Sequence, residues 1–168
     1  MKNKVIILIS FLLLDLPVVL YAGNIDIKQS IWNGHVRYDF TFDGSHATIV
    51  CPDSAINEKP WIWRPAFFGA FPSVDKALLK KGFHVVFYDM THRYGSPQAV
   101  EQGRKFYDYL LAAWHFSPKV TLEGFSRGGY YALNWAIANP DKVACLYLDN
   151  PVCDMFSWPG EKSKLWND

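Results

Sequence analysis

Between residues 119 and 138 the chain leaves a β-type run, Lys119 to Glu123, turns through Gly124-Phe125-Ser126-Arg127-Gly128-Gly129, and enters a helical stretch beginning near Gly128. A strand that passes into a helix within so few residues must bend sharply, and the serine at the apex takes a strained backbone conformation. Side chains two positions before or after it would collide, which explains glycine at both 124 and 128. The Ser126 hydroxyl is then raised above a sheet, with a helix N-terminus aimed at the same point. A serine helix cap in a glycine-rich turn is the plainer alternative, but it leaves the two glycines unexplained.

The surrounding pattern says what kind of sheet this is. Val36 to Phe42 alternates apolar and polar residues, Asp43-Gly44 is a hairpin turn signal, and His46 to Cys51 returns as a second strand. Gly23 to Trp32 alternates too weakly to assign. Trp61 to Arg64 reads as a third strand. Strand and helix then alternate: a helix over Ser73–Lys81 with Val74, Ala77, Leu78 and Lys81 on one side, and a strand over Phe83–Asp89. A helix opened by Ser96-Pro97 runs to about Trp114, burying Gly103, Phe106, Leu110 and Ala113. The strand Val120–Glu123, the helix Gly128–Ala138 and the strand Val143–Leu148 complete the series. Short apolar strands separated by helices predict an α/β fold whose mostly parallel sheet is covered on both faces and preceded by an antiparallel hairpin.

Half of the 168 residues are hydrophobic and 17% are aromatic, enough for one ordinary core. The net charge is +1, and no stripe of Lys or Arg marks a nucleic-acid face. At the N-terminus, Lys2 and Lys4 precede an apolar run from Val5 to Leu20 that is interrupted by Asp15 and Pro17, and Ala22 offers a small residue for cleavage. That layout reads as a signal peptide over residues 1–22, which implies a secreted or periplasmic protein with no stable membrane span after cleavage. The domain then covers 23–168. Of the three cysteines, Cys51, Cys145 and Cys153, an odd one must stay unpaired within the chain, and Cys145 reads as a small core residue. No Cys-x-x-Cys and no histidine pair at ligand spacing appears, so neither a metal nor another cofactor is expected.

Three segments together carry a family resemblance. Pro60-Trp61-Ile62-Trp63-Arg64, Glu123-Gly124-Phe125-Ser126-Arg127-Gly128-Gly129 and Asp149-Asn150-Pro151-Val152-Cys153-Asp154 resemble the α/β-hydrolase superfamily, in particular exported bacterial esterases and prolyl-oligopeptidase-like enzymes. The resemblance spans roughly Val36 to Gly160. It implies a serine hydrolase that cleaves a small-molecule or carbohydrate ester through an acyl-enzyme on Ser126. A serine peptidase of prolyl-oligopeptidase type and a non-catalytic hydrolase-like binding module are the alternatives.

In that superfamily the triad runs serine, acid, histidine along the chain. Here His35, His46, His84, His92 and His115 all precede Ser126. The resemblance therefore implies a C-terminally truncated domain, with the histidine and its acid beyond residue 168 and the last strands missing. A serine without a base is a poor nucleophile, so such a fragment is expected to be inactive.

The same resemblance distributes further roles. The backbone N–H of Arg127 would be one oxyanion donor. The second falls to Arg64 or Ala66, because Pro65 between them has no N–H, and Arg64 is chosen. The Arg127 side chain could hold a substrate carboxylate, or pair with Glu123 or Asp89 as a structural bridge. Asp154 is an alternative triad acid or a turn former beside Pro151. His92, in a loop after a strand, and Trp63 are assigned to substrate binding, with Trp61, Phe67 and Phe68 able to floor a pocket or simply fill the core. His84 reads as an interior residue.

Overall fold

The computed structural model describes residues 25–154 and 156–160; the signal-peptide reading over 1–22 and the segment 161–168 lie outside the described residues. Seven strands form one sheet: β1 (Lys28–Trp32), β2 (His35–Phe42), β3 (Ser45–Val50), β4 (Trp61–Arg64), β5 (His84–Tyr88), β6 (Val120–Phe125) and β7 (Val143–Asp149). Their spatial order is β1-β2-β3-β5-β4-β6-β7. β1, β2, β3 and β5 are joined in antiparallel pairs, whereas β5-β4, β4-β6 and β6-β7 are parallel. Only β1 and β3 therefore run against the common direction, so the sheet is mixed but mostly parallel.

Three helices cross over the sheet: α1 (Ser73–Lys80), α2 (Pro97–Tyr109) and α3 (Arg127–Ala138). Each starts where its sequence allows. Ser96 accepts a hydrogen bond from the Ala99 N–H at 3.3 Å and Pro97 supplies the preset first turn of α2. The β2-β3 turn uses Asp43 and Gly44 at φ 44° and 77°, the two left-handed residues of a tight hairpin.

Alternation along β4 divides the core. Trp61 and Trp63 face the α2–α3 layer, where Trp63 packs edge-on against Phe106, Tyr131 and Trp135 and Trp61 lies against Tyr107 and Phe116. Ile62 faces the other way, onto Leu79 of α1 with Val50 and Val85. Helices thus cover both faces, as the apolar strands require. His84 is interior and stays neutral: burial pushes its pKa down to about 4.

Four sequence expectations are corrected. The inner stripe of α1 is Asp75 and Leu79, one turn apart, because an ion pair draws Asp75 inward, while Ala77 is exposed. Ala113 is exposed because α2 gives way to a π-helical turn over Leu110–Trp114, which rotates later side chains off the buried stripe. β1 is a full strand, so the N-terminal hairpin is a three-stranded meander. Cys145 is exposed, since it lies on the α1 side of β7, where α1 packs against β5 and leaves that surface open. Among the described residues no helix is long and apolar enough to cross a membrane.

Candidate active site

Parallel strands deliver their following loops to one edge of the sheet. Residues 65–72 after β4, 89–96 after β5, 126 after β6 and 150–154 after β7 all emerge at the carboxyl end, where open α/β sheets bind ligands. Ser126 sits between β6 and α3 with no intervening loop, at φ 51° and ψ −127°. That region is sparsely populated for any residue with a side chain.

Backbone hydrogen bonds hold it there. The Ser126 N–H donates to the Asp149 carbonyl at 3.1 Å, and its own carbonyl accepts from Gly129 at 2.9 Å and from Val152 at 2.8 Å. The end of β7 and the loop beyond it therefore clamp the bend. The glycines fit the steric argument: a Cβ on Gly124 would lie 2.6 Å from the Gly129 Cα, and one on Gly128 would lie 2.9 Å from the Ala66 Cβ. Ser126 itself is half-buried, so its side chain is not sealed in the core.

The expected neighbours fare differently. Ala66, not Arg64, meets the elbow helix: its backbone N lies 3.6 Å from the position of a Cβ on Gly128. Arg64 is the last residue of β4, and its buried guanidinium pairs with Asp75, donates to the Ala70 carbonyl at 3.0 Å, and lies 3.4 Å from a Glu123 carboxylate oxygen. Ala70 belongs to the loop that carries Ala66, so Arg64 fastens that loop to α1 and to β6 just before the serine.

This buried trio, with Arg64 2%, Asp75 0% and Glu123 5% exposed, escaped the sequence reading. The signal was there: an arginine and a glutamate, each ending an otherwise apolar strand run. Burial raises the Asp75 pKa against the opposing pull of Arg64. Burial, reinforced by the negative charge of Asp75 and opposed by Arg64, raises Glu123 from its ordinary 4.5 to about 7. One guanidinium thus faces two carboxyls, and the proton settles on this pair.

Trp63 cannot touch a substrate. It is 0% exposed, on the α2–α3 side of a central strand beneath Trp135 and Tyr131. Trp61 is core as well, whereas Phe67 and Phe68 are half-buried. His92 lies exposed in the loop after β5. Asp154 is exposed, and its carboxylate accepts from the Phe156 N–H at 2.9 Å, the turn-forming arrangement.

Neither structural bridge considered for Arg127 forms. Glu123 faces Arg64, and the Asp89 carboxylate accepts from the Thr91 N–H at 3.0 Å. The Arg127 guanidinium instead lies over the Phe67 ring, 5.1 Å from its centre. Two histidines have carboxylate partners, His35 with Asp53 at 3.1 Å and His46 with Asp39 at 3.2 Å, and among the described residues no histidine is hydrogen-bonded to Ser126.

No protein-family model and no curated protein matches the chain. Solved structures do. A probable hydrolytic enzyme from Pseudomonas aeruginosa superposes with TM-score 0.52 at 18% identity, covering 79% of this chain and 43% of that one. Candida antarctica lipase A in its closed state gives 0.53 at 13% identity, covering 75% and 41%. A cold-adapted esterase from an Arctic intertidal metagenomic library gives 0.55 at 14% identity, covering 73% and 63%. The chain spans less than two thirds of the length of each. Identities this low speak to architecture alone, and on that level the agreement extends over about three quarters of the chain: this is the α/β-hydrolase fold.

Proposed function

We propose that the chain carries the nucleophile-bearing part of an exported serine hydrolase that cleaves esters, carbohydrate esters among them, through an acyl-enzyme on Ser126. The observation that carries this reading is the strained apex: a non-glycine residue at φ 51°, clamped by three backbone hydrogen bonds at the carboxyl end of a parallel sheet. Strain of this kind is retained where a reactive group must be presented. The Arg127 N–H, first in α3, is the first oxyanion donor, and Ala66 at the elbow is a better-placed second donor than Arg64. A serine requires a base, and with no histidine among the described residues hydrogen-bonded to Ser126, the base and its acid are taken from outside the described residues. Asp154 is then the cap of its own turn, and His92 lines the approach to the crevice. Residues 1–22 direct export.

The test is turnover of p-nitrophenyl acetate by the full-length gene product beside its Ser126→Ala variant. Loss of turnover to background in the variant supports the reading, and equal turnover removes it. A second reading, a non-catalytic binding module of the same fold, draws on the absence of a histidine bonded to Ser126 among the described residues. It is favoured if the full-length product shows no serine-dependent hydrolysis of small esters or of peptides. Peptide cleavage without ester preference would favour the prolyl-oligopeptidase-type alternative.

A further inference from the structure

Beside Ser126 lies a feature that the acyl-transfer chemistry does not use. Arg127 begins α3, and its guanidinium stacks on Phe67 at 5.1 Å. Phe67 packs edge-on against Phe125 at 5.4 Å, and Phe71 does the same at 5.5 Å. Phe125 and Arg127 thus flank the serine in sequence, and Phe67 and Phe71 of the loop after β4 pack onto them. Phe71 is 73% exposed at φ 49°, while Phe67, Phe125 and Arg127 are half-buried.

A ring can occupy only one face of a guanidinium, whose five N–H groups point outward in its own plane. Stacking therefore orients Arg127 without using its donors. Among the described residues no carboxylate pairs with it: Glu123 and Asp75 belong to Arg64, Asp89 holds Thr91, and Asp154 caps its turn. Its buried Nε has no hydrogen-bond partner. A partly desolvated cation with free in-plane donors, framed by apolar rings, matches a planar anion attached to an apolar body.

We propose that Arg127, with Phe67, Phe71 and Phe125, is a receptor for a carboxylate borne on an aromatic or similarly apolar part of the substrate. The inference rests on the serine-hydrolase reading for its biological meaning, but binding at this receptor does not require the hydroxyl of Ser126. The receptor selects substrates with a free carboxylate a short distance from the scissile ester. Phe71 supplies the open wall against which the apolar part lies.

The experiment measures binding of 4-phenylbutyrate and of the uncharged 4-phenylbutyramide to the full-length Ser126→Ala protein, by ligand-observed NMR. The receptor requires the carboxylate to bind at least about tenfold more tightly than the amide, a preference lost in Arg127→Ala and weakened in Arg127→Lys, whose point charge lacks the planar fork. Phe71→Ala, an exposed change that leaves the fold intact, should weaken both probes together. Equal binding of acid and amide, or an acid preference that survives Arg127→Ala, overturns the proposal. Failure of serine-dependent turnover in the wild type would overturn the hydrolase reading instead, while leaving this binding result standing.

Discussion

Arg64, at the end of β4, lies 3.4 Å from the carboxylate of Glu123, three residues before Ser126, and the two are joined beneath the sheet edge through Asp75. The loop 65–72 and the serine bend are thereby tied to one buried charge cluster. Hydrogen bonding of Arg64 to the Ala70 carbonyl extends the tie into the loop itself.

Replacing Arg64 with methionine leaves two carboxyls facing each other without a cation. Stability to urea should drop by about 3–5 kcal/mol, the usual cost of removing one partner from a buried pair. Arg64→Lys should recover little, because an ammonium cannot address Asp75, Glu123 and the Ala70 carbonyl together. Wild-type stability in Arg64→Met would show that the cluster contributes nothing.

The raised pKa of Glu123 makes a signed statement about pH. Between 4.5 and about 7 the folded chain keeps a proton on this carboxyl that the unfolded chain releases. The contribution is therefore full below 4.5 and declines as pH rises to about 7. Asp75 and Asp149 push its pKa up and Arg64 pulls it down. Urea midpoints of wild type and Glu123→Gln, compared over about pH 5 to 8, should show wild type losing stability relative to the variant as pH increases. Parallel curves would contradict the assignment.

Strain at Ser126 is measurable apart from chemistry. Ser126→Gly relieves the positive φ and should raise stability by about 1 kcal/mol, whereas Ser126→Ala keeps the strain and should not. Gly124→Ala should act in the opposite direction, costing about 1–3 kcal/mol, because the new methyl meets backbone at Gly129. Denaturant titration of the three variants checks both signs.

The cysteines give a simple accessibility check. Cys145 and Cys153 are exposed, while Cys51 is half-buried with its thiol pKa raised by burial despite the nearby Lys59. Iodoacetamide should therefore modify the first two well before the third, read by intact mass with time. Rapid labelling of Cys51 in the folded protein would contradict its placement.

The strands β2 through β7 were legible because each is a short apolar or alternating run bounded by turn or loop residues, such as Asp43-Gly44 after β2. β1 was not, because Lys28, Gln29 and Ser30 on an exposed edge carry no alternation, and only pairing with β2 makes them a strand. The elbow was legible down to its glycines, since backbone strain and close packing leave a mark in residue type. Trp63, Cys145 and Ala113 were misplaced because composition cannot tell which face of a strand a neighbour covers, nor where a helix will widen by a residue. Arg127 was identified as a possible anion holder, but the freedom of its donors depends on Arg64 having claimed Glu123, a tertiary fact. The ring frame of Phe67, Phe71 and Phe125 joins residues from a loop and a strand, so no local spacing announces it.

The central claim is that the Ser126 hydroxyl is presented for attack. Reaction of the full-length gene product with a fluorophosphonate, followed by peptide mapping, tests it most directly. The account requires a single adduct on the peptide containing Ser126, absent from Ser126→Ala and abolished by prior unfolding in urea. An unlabelled Ser126 in a protein that is folded and hydrolytically active, or an adduct on a different serine, would contradict it.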